Sequence, residues 1–158
     1  MGQIFVEQPQ LTGNFPILAV NATAPLAVTA SSTTPILYQN VQVDSLGAYV
    51  GVSGAYAPRV AGWYAVTIAI TMQSVAPTAV GPYVTTLSLF KNGTSTGNQV
   101  VDAHVYQVAG TNAFALSVQA LVQFNATTDF IQTVVNCNAT GTLTVLAGST
   151  FTAQYLHP

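Results

Sequence analysis

The most regular alternation of large apolar and small polar positions runs through Tyr64-Ala65-Val66-Thr67-Ile68-Ala69-Ile70-Thr71-Met72. Tyr64, Val66, Ile68, Ile70 and Met72 fall on one face, and Trp63, Ala65, Thr67, Ala69 and Thr71 on the other. A period of two is what a strand imposes, because successive side chains leave opposite faces. The first face is bulky and apolar and belongs in a core. The second is small and uncharged, an unusual choice for a face turned to water. The chain enters this strand through a turn, Tyr56-Ala57-Pro58-Arg59-Val60-Ala61-Gly62.

Similar alternation predicts further strands over 36–43, 48–52, 84–90, 100–108, 114–124, 130–137, 142–147 and 150–156. In the strand over 114–124, Phe114 and Val118 share an apolar face; in the last strand, Phe151 and Tyr155 do. With Tyr64, Val66, Ile68 and Ile70 these form the expected subunit core. Turn residues separate the runs: Asp44-Ser45-Leu46-Gly47, Lys91-Asn92-Gly93 and Asn125-Ala126-Thr127-Thr128. Asn and Gly tolerate the positive φ of tight turns, which makes Asn92-Gly93 a strong signal. No segment carries apolar residues at helical spacing over several turns, so helices should be scarce. No repeat of fixed period appears, which argues against a propeller or β-helix. The expected fold is all-β, a two-sheet jelly-roll sandwich over residues 35–158. Residues 1–34 read as an extended arm with one short strand near 15–20. Its apolar groups, Ile4, Phe5, Phe15 and Ile17, are the candidates for anchoring.

Composition sharpens this picture. The chain has 158 residues, suited to one domain. Half of them are hydrophobic and only 4% are charged, against about 25% in ordinary globular proteins. The charged side chains are Arg59, Lys91, Glu7, Asp44, Asp102 and Asp129. So few charges give a lone monomer weak colloidal protection, and an assembly that hides surface is the simplest remedy. A net charge of −2 argues against nucleic-acid binding, which needs clustered Lys and Arg, and against a polybasic membrane patch. No run offers about 20 consecutive apolar residues, so no membrane insertion is expected. The start lacks the basic and apolar regions of a secretory signal, which suggests synthesis in a cytoplasm. Cys137, the single cysteine, has no second cysteine for an internal disulfide and reads as a buried thiol.

Candidate chemistry is sparse. Asp102 and His104 form an Asp-x-His pair, but a metal site normally needs a third ligand, so the pair reads as structural. No Ser sits in a Gly-x-Ser-x-Gly elbow. Four Asn-x-Thr triplets, at Asn21, Asn92, Asn125 and Asn138, are expected in a chain this rich in Asn and Thr and read as unmodified. An enzyme and a cofactor are both unexpected.

One set of motifs carries a resemblance. An aromatic followed by Ala-Pro and, after a gap, Gly-x-Tyr opens the core strand (Tyr56-Ala57-Pro58, Gly62-Trp63-Tyr64). Upstream stands Asp44-Ser45-Leu46-Gly47-Ala48-Tyr49. Downstream come Lys91-Asn92-Gly93, Asp129-Phe130-Ile131 and a final strand with Phe151 and Ala153. This pattern, from about residue 35 to 156, resembles the complement globular-head and tumour necrosis factor superfamily, a ten-stranded jelly roll that assembles as a tight trimer. The resemblance implies that Trp63, Thr67, Ala69 and Thr71 face the trimer axis, where small side chains let three sheets approach. It also implies that some members bind calcium through acids near the axis, with Asp44, Asp102 and Asp129 as the local candidates. Phage and spore-surface members share the poverty in charge. The chain looks most like a phage virion protein, a capsid decoration, head fibre or tail-fibre knob held to the virion by its arm. The alternatives are a receptor- or glycan-binding adhesion module, with 76–83 as its recognition segment, or a bacterial spore-surface domain.

Overall fold

A computed structural model describes residues 15–29, 31–75, 83–107, 113–138 and 142–158. The chain forms two facing antiparallel sheets. Its strands are β1 (Ile17–Asn21), β2 (Leu26–Val28), β3 (Thr34–Pro35), β4 (Asn40–Asp44), β5 (Tyr49–Val50), β6 (Ala55–Tyr56), β7 (Gly62–Val75), β8 (Tyr83–Lys91), β9 (Gln99–Gln107), β10 (Ala113–Phe124), β11 (Ile131–Cys137), β12 (Thr142–Val145) and β13 (Thr150–His157). The first sheet runs β2-β12-β7-β13-β1-β4, with β10 on the other flank of β7; the second runs β5-β6-β11-β8-β9, with β3 also on β11. This is a jelly-roll sandwich. Among the described residues, one 3-10 turn at Thr96–Asn98 is the only helical element.

β7 organises the first sheet. It pairs with β10 along Gly62–Gln73, and on its other side with β13 and then β12. Its alternation is carried through to burial. Tyr64, Val66, Ile68, Ile70 and Met72 are all buried, packed with Val118 and Phe151. Phe114 and Tyr155 are half-buried and pack at the rim of the same core. The centre is aromatic: Tyr64 meets Phe124 edge-on at 5.0 Å, and Tyr56 meets Phe151 at 6.2 Å. The Tyr64 hydroxyl donates to the Val60 carbonyl at 2.8 Å. Desolvation, with Tyr155 alongside, pushes its pKa up to about 12. Each fully buried large side chain contributes roughly 1.5–3 kcal/mol of transfer free energy.

Two parts of the sequence reading are revised. The strand expected over 36–43 is strand only from Asn40, where Asn40–Asp44 pairs with β1 in the first sheet; Thr34–Pro35, just before it, pairs with β11 in the second. Ile36 and Tyr38 alternate inward because the chain crosses the core between sheets there, not because it is one strand. The second revision concerns the segment 1–34. Residues 17–21 lie between β13 and β4, and 26–28 pair with β12. Part of the expected arm, Ile17–Asn21 and Leu26–Val28, is therefore sheet. Leu18 and Val20 do alternate with Ile17 and Ala19, but over only five residues.

Gly62 shows how the turn feeds β7. Its φ is +143°, and a Cβ there would stand 2.5 Å from the His157 carbonyl oxygen and 2.7 Å from the Tyr155 ring. Gly62→Ala should lower stability by at least about 2 kcal/mol, combining backbone strain with a clash, as read by chemical denaturation. Ile68→Asp should leave no cooperative unfolding transition, because it buries an unpaired charge. Ile68→Val should cost only about 0.5–1.5 kcal/mol. A folded Ile68→Asp protein would contradict the placement of this face.

Candidate assembly face

The outward positions of β7 line up with those of its neighbours. One row across the sheet is Leu121, Ala65, Gln154 and Ile17; the next is Gln119, Thr67, Thr152, Ala19 and Val43; a third is Ser117, Ala69, Thr150 and Asn21. None of these side chains is charged. Ala69 and Thr71 are exposed, as are Ser117, Gln119, Thr150, Thr152 and Gln154; Trp63 and Thr67 are half-buried. Leu121 is 63% exposed beside a shallow depression of about 250 Å³ lined by Ala65, Thr67 and Gln119. Inside the outer edges of β10 and β4, the sheet's backbone groups are paired within the ladder. Covering the face therefore desolvates only hydroxyl, amide and apolar groups, without the penalty of removing ions from water. Of the anchoring candidates, Ile17 is 41% exposed on this face. Phe15 is half-buried and stacks on Tyr155 at 5.8 Å. Ile4 and Phe5 lie outside the described residues.

The charged groups lie elsewhere, and each acid among the described residues serves the fold. Asp44 accepts the backbone N–H groups of Ala48 and Tyr49 at 3.0 and 2.8 Å, closing its turn. Asp129 meets Lys91 Nζ at 2.8 Å and accepts from the Asn92 amide and the Asn125 N–H. Lys91 also donates to the Gln123 carbonyl. Burial pushes the Asp129 carboxyl up, but Lys91, Asn92 and Asn125 together hold it below its ordinary value. Asn92 sits at φ 61°, and its side-chain oxygen accepts the Phe130 N–H, so the Lys-Asn-Gly turn is bolted to the start of β11. Asn125 accepts the N–H groups of Thr127, Thr128 and Asp129. Two of the four Asn-x-Thr asparagines are thus turn-formers, in keeping with the way Asn side chains bond backbone N–H groups a few residues on.

On the outer side of the second sheet, His104 Nε2 lies 2.7 Å from Asp102, and its Nδ1 2.9 Å from the Thr86 hydroxyl. Asp102 and His104 are exposed and Thr86 is half-buried. Among the described residues, no three His, Cys, Asp or Glu side chains gather to hold a metal ion. Asp44, Asp102 and Asp129 are not brought together. Cys137 is buried, with the Thr85 hydroxyl donating to its sulfur at 3.4 Å. His157 is exposed at the chain end. Of the segment 76–83, only Tyr83 is described, and it is buried.

No protein-family model and no curated protein matches the sequence. Solved structures do match the fold. The globular domain of zebrafish complement 1qA is 11% identical with a TM-score of 0.59, covering 91% of this chain and 98% of that one. The Eiger TNF of S. frugiperda is 12% identical at 0.65, covering 90% and 92%. Murine APRIL is 9% identical at 0.65, covering 90% and 100%. The chain has the jelly-roll fold shared by these complement and tumour necrosis factor domains.

The Asp129 cluster yields a pH prediction. A carboxyl held below its ordinary value of 3.8 in the fold contributes stability that is fully present above that value and lost as pH falls through the folded value. At neutral pH, Asp129→Asn should cost about 1–3 kcal/mol. The difference between wild type and variant should shrink as pH drops below about 4. Denaturation series at several pH values would show this; a difference independent of pH would contradict the assignment.

Proposed function

We propose that the chain is the subunit of a homotrimer and a structural component of a phage virion, a capsid decoration, head-fibre or tail-fibre knob attached through its N-terminal residues. The observation that carries the first part is the uncharged outward face of the first sheet. It spans five strands, β10 through β4, and its central strand offers Ala65, Thr67, Ala69 and Thr71. Small side chains permit close approach of sheets, and depletion of charge marks the buried core of interfaces. The fold shared with complement and tumour necrosis factor domains supports the same reading. The scarcity of charge and the absence of any assembled reactive site among the described residues favour a structural role over catalysis. The same trimer acting as a host-attachment module is the second reading. An apolar groove of about 560 Å³ between β4 and β5, where Val41, Val50 and Val52 stand exposed beside Tyr49, favours it.

Sedimentation equilibrium at micromolar concentration should give three times the chain mass. Ala69→Glu should give a monomer with an unchanged far-ultraviolet circular dichroism spectrum, because three carboxylates would be driven together in a dry contact. A wild-type monomer would overturn the assembly. Deletion of residues 1–14, which spares β1, should leave the trimer intact but abolish particle decoration. Full decoration by the shortened chain would refute the anchoring role. A positive glycan array combined with no capsid binding would favour attachment.

A further inference from the structure

At the end of the sandwich where β7 begins, a cleft of about 420 Å³ opens between the turn at Gly47 and Ala48, the Ala57-Pro58-Arg59 turn and the turn before β11. Its walls include Ala48, Val50 and Pro58, and its rim carries the exposed Arg59. In this chain the charges can be followed one by one. Lys91 is paired with Asp129, Asp102 with His104, and Asp44 with two backbone N–H groups. Asp129 also borders the cleft, but Lys91 already neutralises it. Among the described residues, Arg59 alone of the charged side chains has neither an ion pair nor a hydrogen bond. The one charged residue outside the described set is Glu7.

The path of the chain brings these two within range. The Ser45 hydroxyl donates to the Phe15 carbonyl and accepts the Ile17 N–H. Ser45 belongs to the same turn as Gly47 and Ala48, so Phe15, the first described residue, lies against the turn that borders the cleft. Glu7 precedes Phe15 by eight residues, which span up to roughly 26 Å. Its neighbours Ile4, Phe5 and Val6 are apolar, matching Ala48, Val50 and Pro58 in the walls, while its carboxylate matches Arg59. The geometry points to this cleft as the dock for the chain's own N-terminal segment, with Val6 against the walls and Glu7 paired to Arg59. The contact gives the segment a resting place in the free subunit, from which a stronger partner can draw it. This goes beyond the assembly reading and does not depend on it.

The test uses the full chain carrying Glu7→Cys and Arg59→Cys, oxidised and analysed on non-reducing gels with peptide mapping. Cys137 is buried, which keeps the native thiol out of the reaction. The expected result is a disulfide within one chain. It should form much faster than in a Glu7→Cys, Thr33→Cys control, whose second site lies near the opposite end, where Ser31 bonds Cys137. A link between chains, or one no faster than the control, overturns the proposal. A second readout is proteolysis within residues 1–14. Glu7→Gln and Arg59→Gln should each speed cleavage about two- to fivefold, as befits an exposed ion pair, and the double variant should be no faster than either. Cleavage rates unchanged by both substitutions overturn the pairing. Sedimentation of the same proteins reports the trimer separately, so failure of either idea is distinguishable from failure of the other.

Discussion

The whole sandwich hangs on the double-sided pairing of β7. Twelve consecutive residues of this strand are in register with β10, and its other edge is shared by β13 and β12. No other described strand of the first sheet holds three partners. Because side chains alternate, the ladder that fixes β7 also fixes which of its residues face the core and which face out. A one-residue slip would exchange Ile68 with Ala69 and turn every bulky side chain outward. The register is held at the entry by Gly62, whose bare Cα fits against the His157 carbonyl, and at the centre by Tyr64 locked among Phe124, Tyr155 and Tyr56.

Charge is handled with the same economy. Asp44 closes a turn, Asp129 anchors Lys91, and Asp102 lies along a strand beside a histidine. The broad face of the first sheet is thereby left free of ions. A sheet exposed to water normally carries Lys and Glu as protection against unwanted association. Here Thr, Ser and Gln supply hydration instead, which is a weak barrier to close contact. With this distribution, another surface could approach the face without displacing ions from it.

Much of this is legible in the residues. The long strands are readable because alternation persists over seven or more positions, as in β7, β10 and β13. The short strands are not. β3, β5 and β6 are two residues each, too short to show a period, and they exist because neighbouring strands offer free edges. Residues 36–43 read as one strand, since Ile36 and Tyr38 alternate correctly although the chain is passing between sheets. The candidate assembly face is marked by the small residues of β7. Its full width is not, because Ser117, Gln119, Thr150 and Thr152 join it only through long-range register. The cleft beside Arg59 is invisible in the sequence for the same reason: its walls come from three turns spread over some eighty residues.

One pairing governs how the molecule comes into being. β1 lies against β13, with Ile17 opposite Gln154 and Asn21 opposite Thr150. The first described strand thus waits for the last. During synthesis β1 has no partner on that side until β13 has left the ribosome, and β4 alone offers it an edge. The first sheet therefore closes only once β13 has joined it, at the cost of a high contact order and slow folding. Its broad face is complete only when β13 has taken its place between β7 and β1.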